Sequence, residues 1–142
     1  MTTSQSASSK RRWFGRVMWV GIVANFALAI PTLLFPERML ELTNLPLATP
    51  IMWPRFAALL LILLSVFYMP AAVDPDRYRA IAWMAVASRL AGVLFFLTQP
   101  REYLMFGLFD LVFFVPELIL LWRLAQSQKG SPKSGAQSWG TA

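Results

Sequence analysis

The chain contains no cysteine and no histidine among its 142 residues. Without cysteine it has no disulfides, no thiol redox chemistry and no thiolate metal site. Without histidine it has no His-ligated haem, copper or zinc, and it lacks the usual general base near neutral pH. We therefore expect neither a metal nor a cofactor.

Charge is also scarce, since 14% of the residues are charged and 57% are hydrophobic. A soluble domain normally carries about a quarter charged residues. Four apolar runs of 18 to 23 residues account for the difference, and each is long enough to cross a hydrocarbon core of roughly 30 Å. The sequence thus predicts an all-α, integral membrane four-helix bundle. The runs are Trp13–Phe35, Phe56–Val73, Ala80–Thr98 and Tyr103–Trp122.

The two ends of the chain differ in composition from the apolar runs. Residues 1–12 are predicted to be a disordered, basic N-terminal tail, and residues 13–124 the transmembrane domain. Residues 125–142 are rich in Ser, Gly, Gln and Lys, which is typical of a disordered tail.

The distribution of Lys and Arg predicts the orientation of the spans. With the N-terminus inside, nine basic residues fall on the inner side and three on the outer side. This imbalance favours both termini in the cytoplasm and a multi-pass protein of the cell (inner) membrane. The net charge of +6 then indicates contact with anionic lipid of the bilayer and no nucleic-acid partner. The outer basic residues are Arg38, Arg55 and Arg101.

The connection between the first two runs contains one short amphipathic segment. Residues 36–42 begin with proline, which suits the first turn of a helix. Charged and apolar side chains fall on different faces, so the segment is predicted to be a short interfacial helix between helices 1 and 2. A capped connector without a function of its own is the alternative.

The first run also resembles a signal peptide. A basic start, an apolar stretch and the tripeptide Ala27-Leu28-Ala29 together are similar to a leader with its cleavage site. Cleavage there would leave three spans. The apolar run continues beyond this site to Phe35, which favours a retained first helix.

Three charged residues lie inside the apolar runs, where an ionised group is costly unless it is paired or neutralised. They are Arg89 in the third run and Asp110 and Glu117 in the fourth. The short connection between these runs makes them antiparallel neighbours, and helix rise places Arg89 and Asp110 at similar depth. An Arg89–Asp110 pair is therefore expected, either to fix helix register or to take part in chemistry.

One arginine cannot neutralise two acids, so Glu117 and Asp110 are candidate acid/base residues. Arg89 and Tyr68 are candidate orienting residues, because Tyr68 reaches the depth of Glu117 and could donate to it. Asn25 lies near the middle of the first run and is interpreted as an interhelical contact. Small residues on the third run indicate a closely packed face that directs Arg89 inward. These are Ala82, Ala85, Ser88 and Gly92.

Several segments together resemble the DoxX-like group of small four-helix membrane proteins. They are Pro54-Arg55-Phe56-Ala57-Ala58, Tyr68, Asp74-Pro75-Asp76-Arg77 and Ser88-Arg89-Leu90-Ala91-Gly92. The resemblance implies the four-helix architecture. Its implication for function is broad, since some members are accessory or quinone-linked redox subunits. The short outer helix and the two acids of the fourth run have no counterpart in the pattern.

Three functions are consistent with these features. The first is an accessory or stabilising subunit of a larger membrane complex, with a membrane-protein partner or as a homo-oligomer. The second is an intramembrane enzyme acting on a lipophilic, isoprenoid-like small molecule, with a buried carboxylic acid for isomerisation or cyclisation. The third is a proton or small-solute pathway in an oligomer, with Asp110 and Glu117 as relays.

Overall fold

The computed structural model describes residues 3–129, which form helices connected by turns and contain no strand. Four helices are long and apolar enough to cross a membrane, so the predicted all-α four-helix bundle is confirmed. The protein is a multi-pass membrane protein. The helices are α1 (Thr3–Leu34), α2 (Pro36–Leu42), α3 (Met52–Val73), α4 (Arg79–Leu97) and α5 (Leu104–Lys129), with a 3₁₀ turn (Arg101–Tyr103) before α5.

The four long helices form a ring in which α1 packs against α3 and α5, and α4 packs against α5 and α3. The predicted antiparallel pair of the third and fourth spans is therefore present as α4 and α5. Residues 35–51 and 98–103 connect the helices at one end of the ring, here called the loop end. Residues 74–78 connect α3 to α4 at the opposite turn end.

Helix α1 begins at Thr3 and so includes residues 3–12, which the sequence predicts to be part of the N-terminal tail. In this segment the Arg11 guanidinium lies 2.8 Å from Asp74 and 3.6 Å from Asp76 at the turn end. At the other terminus α5 continues to Lys129, so residues 125–129 are helical as well. The rest of the predicted C-terminal tail lies outside the described residues.

Close backbone contact joins α1 to α3 near the turn end. Gly15 is buried, and a Cβ at this position would lie 2.6 Å from the carbonyl oxygen of Ala72. Around this contact Phe14, Met18 and Ile22 bury their side chains in the core. The glycine therefore sets the distance between the two helices.

The short helix α2 was predicted for residues 36–42, and it is present with those bounds. Pro36 lies at its start, where a missing N–H costs nothing. Its end is a Schellman motif: the Asn44 N–H donates to Glu41 O at 3.0 Å, and the Leu45 N–H donates to Leu40 O at 2.9 Å. Asn44 has the left-handed φ of 54° that this motif requires. The motif brings Leu45 back beside Leu40.

A test of the α1–α3 contact is the substitution Gly15→Ala. The added methyl group meets a carbonyl oxygen that belongs to helix backbone, so the helices must separate. We expect a loss of about 1–3 kcal/mol in the free energy of unfolding, measured by denaturant titration in detergent with circular dichroism. The control is Val23→Ile, which adds bulk on an exposed position of α1. Equal stability of both variants would contradict a close α1–α3 contact.

Candidate functional site

Arg89, Asp110 and Glu117 meet in the interior of the bundle, and we call them the charge cluster. Arg89 Nε donates to Glu117 Oε2 at 3.1 Å, and Arg89 Nη1 donates to Asp110 Oδ1 at 3.4 Å. The expected Arg89–Asp110 pair is thus confirmed, and Arg89 binds both acids at once. A planar guanidinium with several N–H donors is suited to such bridging, whereas a lysine ammonium is not.

Arg89 and Glu117 are buried and Asp110 is half-buried, with side-chain exposures of 4%, 1% and 23% respectively. With both carboxylates ionised it carries one net negative charge, and with one proton it is neutral. Glu117 Oε1 is buried and has no hydrogen-bond partner among the described residues.

Two glycines make room for the charge cluster. A Cβ at Gly21 of α1 would lie 2.5 Å from Arg89 Nη2. A Cβ at Gly92 of α4 would overlap the carboxylate of Asp110. The ring of Phe113 lies under the guanidinium, with its centroid 4.8 Å from Arg89 Cζ, which adds a cation–π contact. Helix α1 therefore packs directly against Arg89 at Gly21, and α4 packs directly against Asp110 at Gly92.

Tyr68, which could donate to Glu117 by its depth alone, has a different partner in the structure. The Tyr68 hydroxyl of α3 instead forms a hydrogen bond with Ser88 Oγ of α4. Ser88 uses its only O–H to donate to Ala85 O at 2.8 Å, so the tyrosine is the donor. Tyr68 thus links α3 to α4 one residue before Arg89, and the structure shows no hydrogen bond from it to an acid.

Asn25 was interpreted as an interhelical contact, and this is confirmed. Its side-chain amide donates to Ser65 Oγ at 3.0 Å, and both residues are buried. Ser65 donates in turn to Leu61 O of its own helix at 2.7 Å. This pair joins α1 to α3, and it is separate from the charge cluster.

A cavity of about 310 Å³ lies at the loop end, and we call it the loop-end cavity. Residues of α1, α2, α3 and α5 line it, together with Phe96 of α4 and Tyr103 of the 3₁₀ turn. None of the four predicted site residues, Arg89, Asp110, Glu117 and Tyr68, is among the lining residues. The cavity and the charge cluster are therefore separate features.

Sequence reasoning identified the three charges but missed Gly21 and Phe113. Gly21 is one of two glycines inside the first apolar run, and that was the available signal, since glycine inside a helix usually has a packing reason. Phe113 could not be distinguished from other apolar residues of its run. Its position beside Arg89 depends on how α5 is rotated, which the sequence does not show directly.

Comparisons with protein-family models, with curated proteins and with solved structures give no significant match. The resemblance to the DoxX-like group therefore stays a prediction.

The charge cluster can be tested by removing its charges singly and together. Arg89→Met leaves two acids without a cation in the interior, and we expect a loss of about 3–5 kcal/mol in the free energy of unfolding. The triple variant Arg89→Met/Asp110→Asn/Glu117→Gln has no charge at these three positions. We therefore expect it to regain most of the free energy of unfolding that Arg89→Met loses. Unfolding in detergent, followed by circular dichroism, measures both.

The matched control is Arg101→Met, which removes an exposed arginine and should change stability little. If the triple variant were as unstable as Arg89→Met, the loss would come from packing of the arginine stem, and charge compensation would be the wrong explanation.

Proposed function

We propose that this protein is an accessory or stabilising subunit of a larger membrane complex, without a catalytic site of its own. The observation that carries the proposal is the closed polar interior of the bundle. Arg89 binds both intramembrane acids, Tyr68 binds Ser88, and Asn25 binds Ser65. These groups are engaged in holding helices together.

The alternative of an intramembrane enzyme requires a carboxylic acid within hydrogen-bond reach of a substrate. Glu117 is 1% exposed, and the loop-end cavity is lined by neither acid. Asp110 is 23% exposed, but its carboxylate is bound to Arg89. The unpartnered Glu117 Oε1 is the feature that favours this alternative, and it favours a proton pathway as well.

A subunit needs an outer surface for its partner. The small residues Ala82 and Ala85 are buried inside the bundle, so they are not free for a partner helix. Ala87 and Ala91 are exposed on α4 at the four-residue spacing that permits close helix contact. We therefore place the partner helix, from another membrane protein or from a second copy, on this face.

The decisive experiment is purification of the tagged protein from its native membrane in mild detergent, followed by mass spectrometry. We expect a stoichiometric membrane-protein partner that is lost in Ala87→Leu/Ala91→Leu and retained in Glu117→Gln. The control is Ala80→Leu, another exposed alanine of α4. A monomer that co-purifies with an isoprenoid and converts it to a product would overturn the subunit proposal in favour of the enzyme, if Glu117→Gln abolishes that conversion.

In the proposed orientation both termini are in the cytoplasm, and the loop end faces the outer side of the inner membrane. The chain contains no cysteine, so single-cysteine variants report one position each. Thr49→Cys in intact cells should react with a membrane-impermeant maleimide, and Arg77→Cys should react only after the cells are opened. The reverse pattern would show that the imbalance of basic residues predicts the wrong orientation.

A further inference from the structure

We propose that the loop-end cavity is a binding site for one hydrocarbon chain of a membrane phospholipid. The proposal does not depend on the subunit function, because the cavity and the charge cluster have no lining residue in common. It rests on the chemistry of the cavity wall, on its size and on the structural elements that keep it open.

The wall offers contacts to hydrocarbon and almost none to a polar ligand. Leu28 and Ala29 of α1 and Leu61 of α3 supply aliphatic surface. The hydroxyls of Thr32 and Thr43, the two threonines of the wall, each donate a hydrogen bond of 2.7 Å to the carbonyl oxygen four residues earlier in the chain. Their O–H donors are therefore not available to a ligand. A buried ligand with several polar atoms would find too few partners here, whereas an alkyl chain needs none.

The size of the cavity is suited to an extended alkyl chain. About 310 Å³ gives room for at least roughly ten groups of the size of water. The cavity can therefore accept part of one hydrocarbon chain.

The cavity is held open by defined contacts. The Schellman motif that ends α2 places Leu40 and Leu45 side by side, and both line the cavity. On the opposite wall the rings of Phe96 and Phe106 pack with centroids 5.5 Å apart. Gly107 brings their helices together, since a Cβ there would lie 3.0 Å from Phe96 Cβ. Because these contacts define both walls, the cavity is formed by the fold itself and is available to an apolar occupant.

The position of the cavity identifies the source of the chain. It lies at the loop end of the four spans, where lipid chains are the abundant apolar molecules. The loop-end arginines Arg38, Arg55 and Arg101 each lie within two residues of a lining residue, and so do three glutamates, Glu37, Glu41 and Glu102. Charges of both signs surround the cavity, so recognition comes from the chain and not from the charge of the headgroup.

Photolabelling tests this site directly. The intact protein is placed in lipid nanodiscs of phosphatidylcholine in which one acyl chain carries a diazirine, and the labelled residues are mapped by mass spectrometry. We expect several-fold more label on the lining residues Leu28, Leu61 and Phe106 than on Leu94 and Leu108, which are exposed elsewhere. Equal labelling of both groups would mean ordinary lipid contact and would overturn the proposal.

A matched pair of variants separates the cavity from the general surface. Ala29→Leu fills the cavity, and Ala27→Leu adds the same bulk to an exposed position two residues away on α1. We expect the label on Leu61 and Phe106 to fall several-fold in Ala29→Leu and to stay unchanged in Ala27→Leu. Unchanged labelling in both variants would refute binding in the cavity.

A second variant covers the case in which Ala29→Leu fails to fold. Phe106→Leu enlarges the cavity by removing part of one ring, and it should increase labelling of Leu61 by the diazirine chain.

Native mass spectrometry of the unmodified protein then identifies the natural ligand. A retained phospholipid supports the proposal, whereas a retained free isoprenoid or fatty acid would assign the cavity to another source of hydrocarbon and overturn it.

Discussion

The structure depends on one constraint, which is that a bundle interior must hold one cation together with two acids. Arg89 alone would be costly in the interior, and so would either carboxylate alone. The free-energy cost of burying these charges is reduced because one guanidinium contacts both acids. Its nitrogen atoms lie 3.1 Å from a Glu117 oxygen and 3.4 Å from an Asp110 oxygen. Much of the local packing follows from this need. Gly21 and Gly92 leave space for the guanidinium and for a carboxylate, and Phe113 covers the arginine.

The polar contacts of the interior connect three of the four neighbouring pairs of helices in the ring. Asn25 and Ser65 join α1 to α3, Tyr68 and Ser88 join α3 to α4, and the charge cluster joins α4 to α5. At the fourth pair α1 lies close to α5, since a Cβ at Gly21 would lie 3.3 Å from Phe113 Cδ1. Apolar packing has little orientational preference in lipid, so these contacts specify the rotation of each helix about its axis.

The architecture could be predicted from the sequence because its signals are local. The four apolar runs and the proline at the start of α2 can each be recognised within a short segment. The Arg89–Asp110 pair was also predictable, since a short connection and the helix rise fix the relative depth of two neighbouring helices.

Other features could not be predicted, because they depend on helix rotation or on contacts between distant segments. Tyr68 has the depth of Glu117, but depth does not determine the direction in which a side chain points, and the hydroxyl meets Ser88 instead. The helical start of α1 is anchored by contacts from Arg11 to Asp74 and Asp76, which lie more than sixty residues away. The loop-end cavity is formed by segments from across the chain, so no local pattern indicates it.

The order of the charges along the chain has a consequence for how the protein enters the membrane during synthesis. Arg89 lies in α4, and both of its acids lie in α5. When α4 leaves the ribosome, the arginine has no counter-charge, and inserting it alone costs about 2.5–3.5 kcal/mol. Insertion of α4 and α5 together, as one hairpin, avoids that intermediate. The six-residue connection between them, residues 98–103, is short enough to keep the two helices together as they insert.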